Sequence, residues 1–136
     1  MTPSLVYLDS SAILKLVVSE PETPALIDML GHYPDRVSSA LARVEVLRAI
    51  RRARGSPAEL RRAEDVLLRI ALIRIDDDII ARAADLPPYE IRSLDAIHVA
   101  SALAIRDELA GLVSYDKRLT SAAAKLRIPL LVAGRG

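Results

Sequence analysis

The chain has 136 residues, 51% of them hydrophobic, and this predicts one folded domain over residues 1–136 with a sizeable core. It contains no cysteine, which excludes disulfides, thiolate zinc sites and cysteine nucleophiles. The net charge of +1 excludes a strong overall attraction to nucleic acid. No secretory signal is visible, and no apolar run reaches the roughly 18 residues of a membrane span, so a cytoplasmic protein is expected.

Strand-like and helix-like segments alternate along the chain. The predicted strands are short and mostly apolar, and they cover residues 4–8, 36–39, 72–75, 112–115 and 128–132. The predicted helices cover residues 12–18, 23–30, 40–54, 57–70, 79–84, 93–109 and 117–126. This alternation predicts an α/β fold, a three-layer α/β/α sandwich whose central, mainly parallel sheet has about five strands. Pro129 indicates that the last strand lies at an edge.

Local signals predict where several helices begin and end. Ser10 or Ser11 is expected to cap the first helix, and Ser93 the most apolar one, because a serine hydroxyl accepts a hydrogen bond from a free first-turn amide. Gly111 is expected to end the helix that Ser93 begins. The sequence Ser-Pro-Ala-Glu at residues 56–59 is typical of a capping box with proline in the first turn.

Four carboxylates stand in otherwise apolar surroundings. Asp9 and Asp116 follow strand-like runs, and Glu45 and Asp95 lie in helix-like runs. Charge in such places is costly unless it is neutralised, and a hard divalent cation is the natural neutraliser for converging carboxylates. Ligands of open parallel sheets bind beyond the carboxyl ends of the strands, where we expect these acids to meet. The leading interpretation is a metal-dependent enzyme that cleaves phosphoesters.

Each acid also has an ordinary structural explanation. Asp9 is suited to a strand-end turn, and Asp95 to the positive end of its helix. Glu45 is placed to pair with Arg48 one turn on, and Asp116 to cap the helix that begins at residue 117. The joint interpretation is stronger than any of these, because one metal site requires all four acids and the fold directs at least three to one edge.

Small hydroxyls and one histidine flank the acids. Ser10, Ser11 and Ser114 are suited to orient a carboxylate, a metal-bound water or the substrate. His98 follows Asp95 by three residues and therefore lies near it on the same helix. Its surroundings are apolar, so a packed, hydrogen-bonded histidine is favoured over a donor to the acids or a metal ligand.

Four motifs carry a family resemblance that spans nearly the whole chain. They are YLDSSAILKL around Asp9, ARVEVLRA around Glu45, SLDAIHVASA around Asp95 and VSYDKRL around Asp116. In order and spacing the chain resembles the PIN domain, and within it the small VapC-type toxins of toxin–antitoxin pairs. Ser114 stands where many relatives carry threonine, which keeps the hydroxyl.

The resemblance implies a function and a set of partners. It implies an endoribonuclease that depends on Mg²⁺ or Mn²⁺ and whose action on RNA stops growth. It makes Asp9, Glu45, Asp95 and Asp116 the catalytic, metal-binding acids. It further implies a homodimer, and inhibition by a cognate antitoxin whose tail occupies the active-site groove.

The residues also favour one cleavage chemistry. Attack by metal-activated water leaves a 5′-phosphate and a 3′-hydroxyl. The metal-free route through the RNA 2′-hydroxyl requires acid and base groups, usually histidines, and His32 and His98 form no convincing pair. The alternatives that stay open are a nuclease for structured DNA, a receiver-like phosphoacceptor domain that binds Mg²⁺, and a binding module without catalysis.

Most of the 19 basic residues are arginines, and many fall in one stretch. We call this stretch the arginine cluster; it comprises Arg43, Arg48, Arg51, Arg52, Arg54, Arg61, Arg62 and Arg69. Arginine matches phosphate oxygens in bidentate pairs, so the cluster either lines a path for RNA or forms a solvated helix surface. Leu41, Val44 and Leu47 are expected on the opposite, buried stripe of the 40–54 helix.

Overall fold

A computed structural model describes residues 2–134 of the chain. Its elements, in chain order, are β1 (Leu5–Leu8), α1 (Ser10–Val17), α2 (Thr23–Leu30), β2 (Arg36–Ser39), α3 (Leu41–Arg52), α4 (Pro57–Leu68), β3 (Ala71–Ile73), α5 (Asp77–Ala84), α6 (Ser93–Ala104), a 3₁₀ turn (Arg106–Glu108), β4 (Leu109–Val113) and α7 (Lys117–Lys125). Within this part of the chain, no helix combines the length and apolar character that crossing a membrane requires.

The strands form one parallel sheet in the order β3-β2-β1-β4. The segment predicted as a fifth strand, residues 128–132, contributes a single parallel bridge between Leu130 and Leu112. The Leu112 amide donates to the Pro129 carbonyl at 2.8 Å, and the Leu131 amide donates to the Leu112 carbonyl at 3.0 Å. Pro129 has no amide hydrogen, so the ladder does not extend, and the segment lies at the edge as predicted.

Two cores cover the two faces of the sheet and confirm the three-layer arrangement. Val6 and Leu8 of β1 pack with buried residues of α1 to α4. Tyr7, between them, points to the other face and packs with α6 and α7. The alternation of β1 therefore assigns each helix to a layer, with α3 and α6 on opposite sides of the sheet.

The structure corrects the predicted boundaries after residue 92. Helix α6 ends at Ala104, so Gly111 does not end a helix but lies within β4. Ser93 is the first helical residue, and Arg92 occupies the N-cap without a side-chain cap bond. A continuous apolar run fits a buried strand as well as a buried helix, which is why the pattern placed this boundary wrongly.

Two further predictions concern α3 and α4. The capping box is confirmed, since Ser56 Oγ accepts from the Glu59 amide and Glu59 Oε1 accepts from the Ser56 amide. The buried stripe of α3 was predicted wrongly: it consists of Ala42, Val46 and Ile50, whereas Val44 is 54% exposed. The two stripes are neighbours on one helix: the buried one packs against α1 and α4, and Leu47 of the predicted stripe is partly buried against the same core.

Candidate active site

Asp9 lies where β1 passes directly into α1. It is 3% exposed, and its extended backbone makes it the N-cap of α1. Oδ1 accepts from the Ala12 amide at 3.0 Å and from Ser11 Oγ at 2.7 Å, and Oδ2 accepts from Ser114 Oγ. The prediction that Ser10 or Ser11 caps α1 is therefore wrong, because the chain turns one residue earlier. Burial raises the pKa of the Asp9 carboxyl, although these three hydrogen bonds oppose the rise.

Asp116 occupies the equivalent place after β4. It is the N-cap of α7, and its Oδ1 accepts from the Arg118 amide at 2.9 Å, as the capping interpretation predicted. Its own amide donates to Ser114 Oγ at 3.0 Å. Ser114 thus accepts from Asp116 and donates to Asp9, so that one hydroxyl joins the ends of two adjacent strands.

Glu45 reaches the site from the middle of α3. Its Oε1 lies 2.6 Å from Nε2 of His98 and accepts a short hydrogen bond from Ser10 Oγ. No ion pair joins it to Arg48 among residues 2–134. Burial acts to raise the pKa of Glu45, but the bonds from His98 and Ser10 outweigh burial and lower it. Glu45 is therefore held in its charged form.

Asp95 lies in the first turn of α6 and is only partly buried. Burial raises the pKa of its carboxyl, and the negative charges of Asp116, Glu45 and Asp9 raise it further, with His98 opposing them. The charges of Asp9, Glu45 and Asp116 all act on Asp95, so the four sequence-predicted carboxylates lie in one region at the carboxyl end of the sheet.

Tyr7 and His98 stand behind the acids, and the sequence did not single out Tyr7. Tyr7 is fully buried, and its hydroxyl lies 2.7 Å from His98 Nδ1. His98 is 2% exposed and hydrogen-bonded, as the favoured interpretation predicted, but its Nε2 also lies 2.6 Å from Glu45 Oε1. The contact with an acid, which the sequence favoured less, is therefore present as well. The sequence could have indicated Tyr7, because side chains two residues apart on a strand point to the same face and Tyr7 precedes Asp9 by two residues.

A basic groove opens beside Asp95. It has a volume of about 330 Å³, and Asp95 lines it together with Arg92, Arg118 and Lys125. These three basic residues were not predicted as site residues, although Arg92 and Arg118 lie within three residues of Asp95 and Asp116. The arginine cluster, by contrast, lies exposed on and near α3 and α4.

A larger cavity, of about 520 Å³, lies between α1, β4 and the segment after residue 129. It touches Ser114 but none of the four acids. Its lining includes Lys15, which pairs with Glu22 at 2.9 Å, and Lys117. The smaller groove, which Glu90 also lines, is the better candidate for the substrate because it contains an acid of the cluster beside three basic side chains.

Comparison with known protein families matches residues 6–125 to the PIN domain. The chain belongs to the PIN domain family. Its relatives include Ribonuclease VapC46 of Mycobacterium tuberculosis, which is 43% identical over 126 residues, covering 93% of this chain and 95% of that protein. Ribonuclease VapC35 of the same organism is 39% identical over 135 residues, covering 96% and 98%. The receiver-like alternative is thereby excluded.

Solved structures share the fold of this PIN domain. The toxin VapC20 of Mycobacterium tuberculosis, described as cleaving the sarcin–ricin loop, superposes with a TM-score of 0.66 at 16% identity over 86% of this chain and 94% of that one. VapBC2 of Rickettsia felis, bound to a promoter DNA fragment, gives a TM-score of 0.72 at 12% identity over 95% and 98%. At these identities the likeness establishes the fold alone.

The donor set of this PIN domain fits a hard divalent cation in its chemistry. Its potential ligands are carboxylate oxygens, the donors that Mg²⁺ prefers, and their mutual repulsion acts on Asp95. The side chains are not gathered into a closed ligand set: among residues 2–134, no three Asp, Glu, His or Cys side chains are arranged so as to hold an ion.

Proposed function

We propose that this PIN domain is an endoribonuclease dependent on Mg²⁺ or Mn²⁺ and acts in the cytoplasm as the toxin of a type II toxin–antitoxin system. The observation that carries the proposal is a concentration of four carboxylates that no Lys or Arg neutralises through an ion pair among the described residues. Relatives named as VapC ribonucleases, about 40% identical over most of the chain, support the choice of RNA as substrate.

Asp9, Glu45, Asp95 and Asp116 are the residues that would hold the cation. A bound divalent cation stabilises charge on the scissile phosphate and lowers the pKa of water, which favours hydrolysis to a 5′-phosphate and a 3′-hydroxyl. The chain's own contribution is to fix the acids. Ser11 and Ser114 hold Asp9, and Ser10 holds Glu45.

The basic groove is the path that we propose for the RNA strand. Arg92, Arg118 and Lys125 line it beside Asp95, so phosphates bound there would approach the acids. Basic contacts to phosphate position a strand without reading its sequence. The sequence left the arginine cluster open as either an RNA path or a solvated helix surface, and no hydrogen bond among the described residues links it to the four acids.

Incubation with RNA tests the activity. Purified protein is mixed with total RNA and, separately, with structured DNA, with Mg²⁺, with Mn²⁺ or with chelator, and the new ends are mapped. We expect RNA cleavage that chelator abolishes and that leaves 5′-phosphates. A 2′,3′-cyclic phosphate, or cleavage that persists in chelator, would contradict the mechanism. Preferential cleavage of DNA would contradict the proposed substrate.

We propose two protein partners, a cognate antitoxin and a second copy of this chain. A toxin–antitoxin complex from Klebsiella pneumoniae shares the fold at a TM-score of 0.65 and 20% identity, over 82% of this chain and 86% of that one. Exposed apolar side chains, among them Leu68 at 78% and Tyr89 at 74%, support further interfaces. Light scattering on the purified chain should give twice the monomer mass. Co-purification with the product of an adjacent short reading frame should abolish cleavage.

A further inference from the structure

Tyr7, His98 and Glu45 form a chain of hydrogen bonds from the protein interior to the acids. Tyr7 Oη lies 2.7 Å from His98 Nδ1, and His98 Nε2 lies 2.6 Å from Glu45 Oε1. Tyr7 and His98 pack in the layer of α6, whereas Glu45 belongs to α3 on the other face of the sheet. The hydrogen bonds therefore join the two helical layers beside the proposed active site.

Burial determines where the protons of these hydrogen bonds lie. The Tyr7 hydroxyl is fully buried and donates to His98 Nδ1 at 2.7 Å, while the hydroxyls of Ser38 and Ser101 also lie within reach of it. In this arrangement Nδ1 accepts, and the ring proton on Nε2 is donated to the Glu45 carboxylate.

The two oxygens of Glu45 consequently differ. Oε1 accepts from both His98 and Ser10, whereas Oε2 has no recorded hydrogen bond among the described residues. A glutamate side chain has three rotatable bonds, and fixing them before a ligand arrives removes an entropic cost of binding. Ser10 provides one contact that fixes Glu45. The His98 imidazole provides a second, but it fixes Glu45 only if the ring is itself held in place.

We propose that Tyr7 is a positioning residue of the active site, which acts through His98 to hold Glu45 by one oxygen and to leave the other for the cation. The inference rests on the proposed function, because a fixed Glu45 contributes to activity only where a divalent cation binds. It adds to that function a residue that touches neither substrate nor cation.

Nitrogen-15 NMR of histidine-labelled protein tests the proton arrangement directly. The chain has two histidines, and His32, exposed between α2 and β2, serves as an internal reference. We expect His98 in wild-type protein to carry its proton on Nε2 only. Tyr7→Phe removes one oxygen and should produce a mixture of ring states. A protonated Nδ1 in the wild type, or an unchanged His98 spectrum in Tyr7→Phe, would overturn the proposal.

Calorimetric titration with Mn²⁺ tests the consequence. Loss of a partner behind a metal ligand typically weakens metal affinity roughly 10–100-fold, so we expect Tyr7→Phe to bind Mn²⁺ about 10-fold more weakly. Tyr33→Phe, the same deletion on a partly buried tyrosine in the other core, should bind as wild type does. His98→Gln keeps a donor for Glu45 but not the ring, and it should weaken binding as Tyr7→Phe does.

The two experiments separate the inference from the proposed function. Mn²⁺ affinity that is unchanged in both Tyr7→Phe and His98→Gln would overturn the positioning role. Absence of Mn²⁺ binding by the wild type would overturn the proposed function instead, and the His98 spectra would still decide whether Tyr7 sets the state of the imidazole.

Discussion

Asp95 is the acid whose negative charge can be removed with the least effect on the surrounding hydrogen bonds. Asp9 and Asp116 each cap a helix, and Glu45 accepts from Ser10 and His98. For Asp95, no hydrogen bond is recorded among residues 2–134, and like charges act on it. An amide at this position removes repulsion without breaking a cap, whereas Asp9→Asn would also disturb the start of α1.

We expect Asp95→Asn to reduce metal-dependent cleavage by more than the roughly 100-fold that loss of an outer partner costs, without loss of stability in chelator. A raised pKa means that the folded state holds protons that the unfolded chain releases. This stability is complete below the ordinary carboxyl pKa and is lost as pH rises through the folded pKa. In chelator, urea unfolding from about pH 4 upward should show a smaller decline for the variant than for wild type. Equal declines would contradict the repulsion.

The Ser114 hydroxyl contacts both Asp9 and Asp116 and fixes their positions relative to each other. Ser114→Ala removes both the donor to Asp9 and the acceptor for the Asp116 amide, which should cost roughly 1–3 kcal/mol of stability. It should also weaken Mn²⁺ binding about 10-fold. Ser114→Thr keeps the hydroxyl and serves as the control in thermal melts and titrations. If Ser114→Thr bound Mn²⁺ as weakly as Ser114→Ala, the size of the side chain and not its hydroxyl would determine the affinity.

At the scale of elements, prediction succeeded where chemistry is local. Strand β2, the capping box before α4 and the start of α7 follow from short apolar runs, a serine–glutamate pair and a capping aspartate. It failed where an apolar run admits two structures. Residues 93–113 contain α6, a turn and β4, and only the pairing of β4 with β1 turns the second half into a strand.

Gly111 shows what the correct assignment of β4 changes. A Cβ at this position would lie 2.5 Å from Cγ of Leu131, so the edge segment packs where a side chain would be. We expect Gly111→Ala to lower the free energy of unfolding by about 1–3 kcal/mol, measured by urea denaturation. Leu131→Ala in the same chain should restore part of the loss. A double variant whose two effects simply add would show that the contact with Leu131 is not the cause.

At the scale of the whole molecule, the sequence indicates the candidate carboxylates but not the side chains that hold them. A charge at the end of an apolar strand stands out in a sequence, and parallel strands bring such ends together. The contact of His98 with Glu45 depends on where α6 meets α3 beyond the sheet, and no single segment specifies that meeting. Contacts between the helical layers arise from the packing of both cores. The sequence pattern shows only which face of each separate helix or strand is apolar.

The basic groove gives the last prediction, which concerns how the whole surface meets RNA. In chelator, so that binding is measured without cleavage, Arg92→Ala/Arg118→Ala should flatten the salt dependence of RNA affinity by roughly 0.7 in log–log slope for each phosphate that the protein no longer neutralises. Arg51→Ala/Arg52→Ala removes the same charge from the arginine cluster and should leave that slope near the wild-type value. Equal changes of slope in the two variants would mean that net charge alone governs binding. A larger change at Arg51 and Arg52 would move the RNA path away from Asp95 and onto α3.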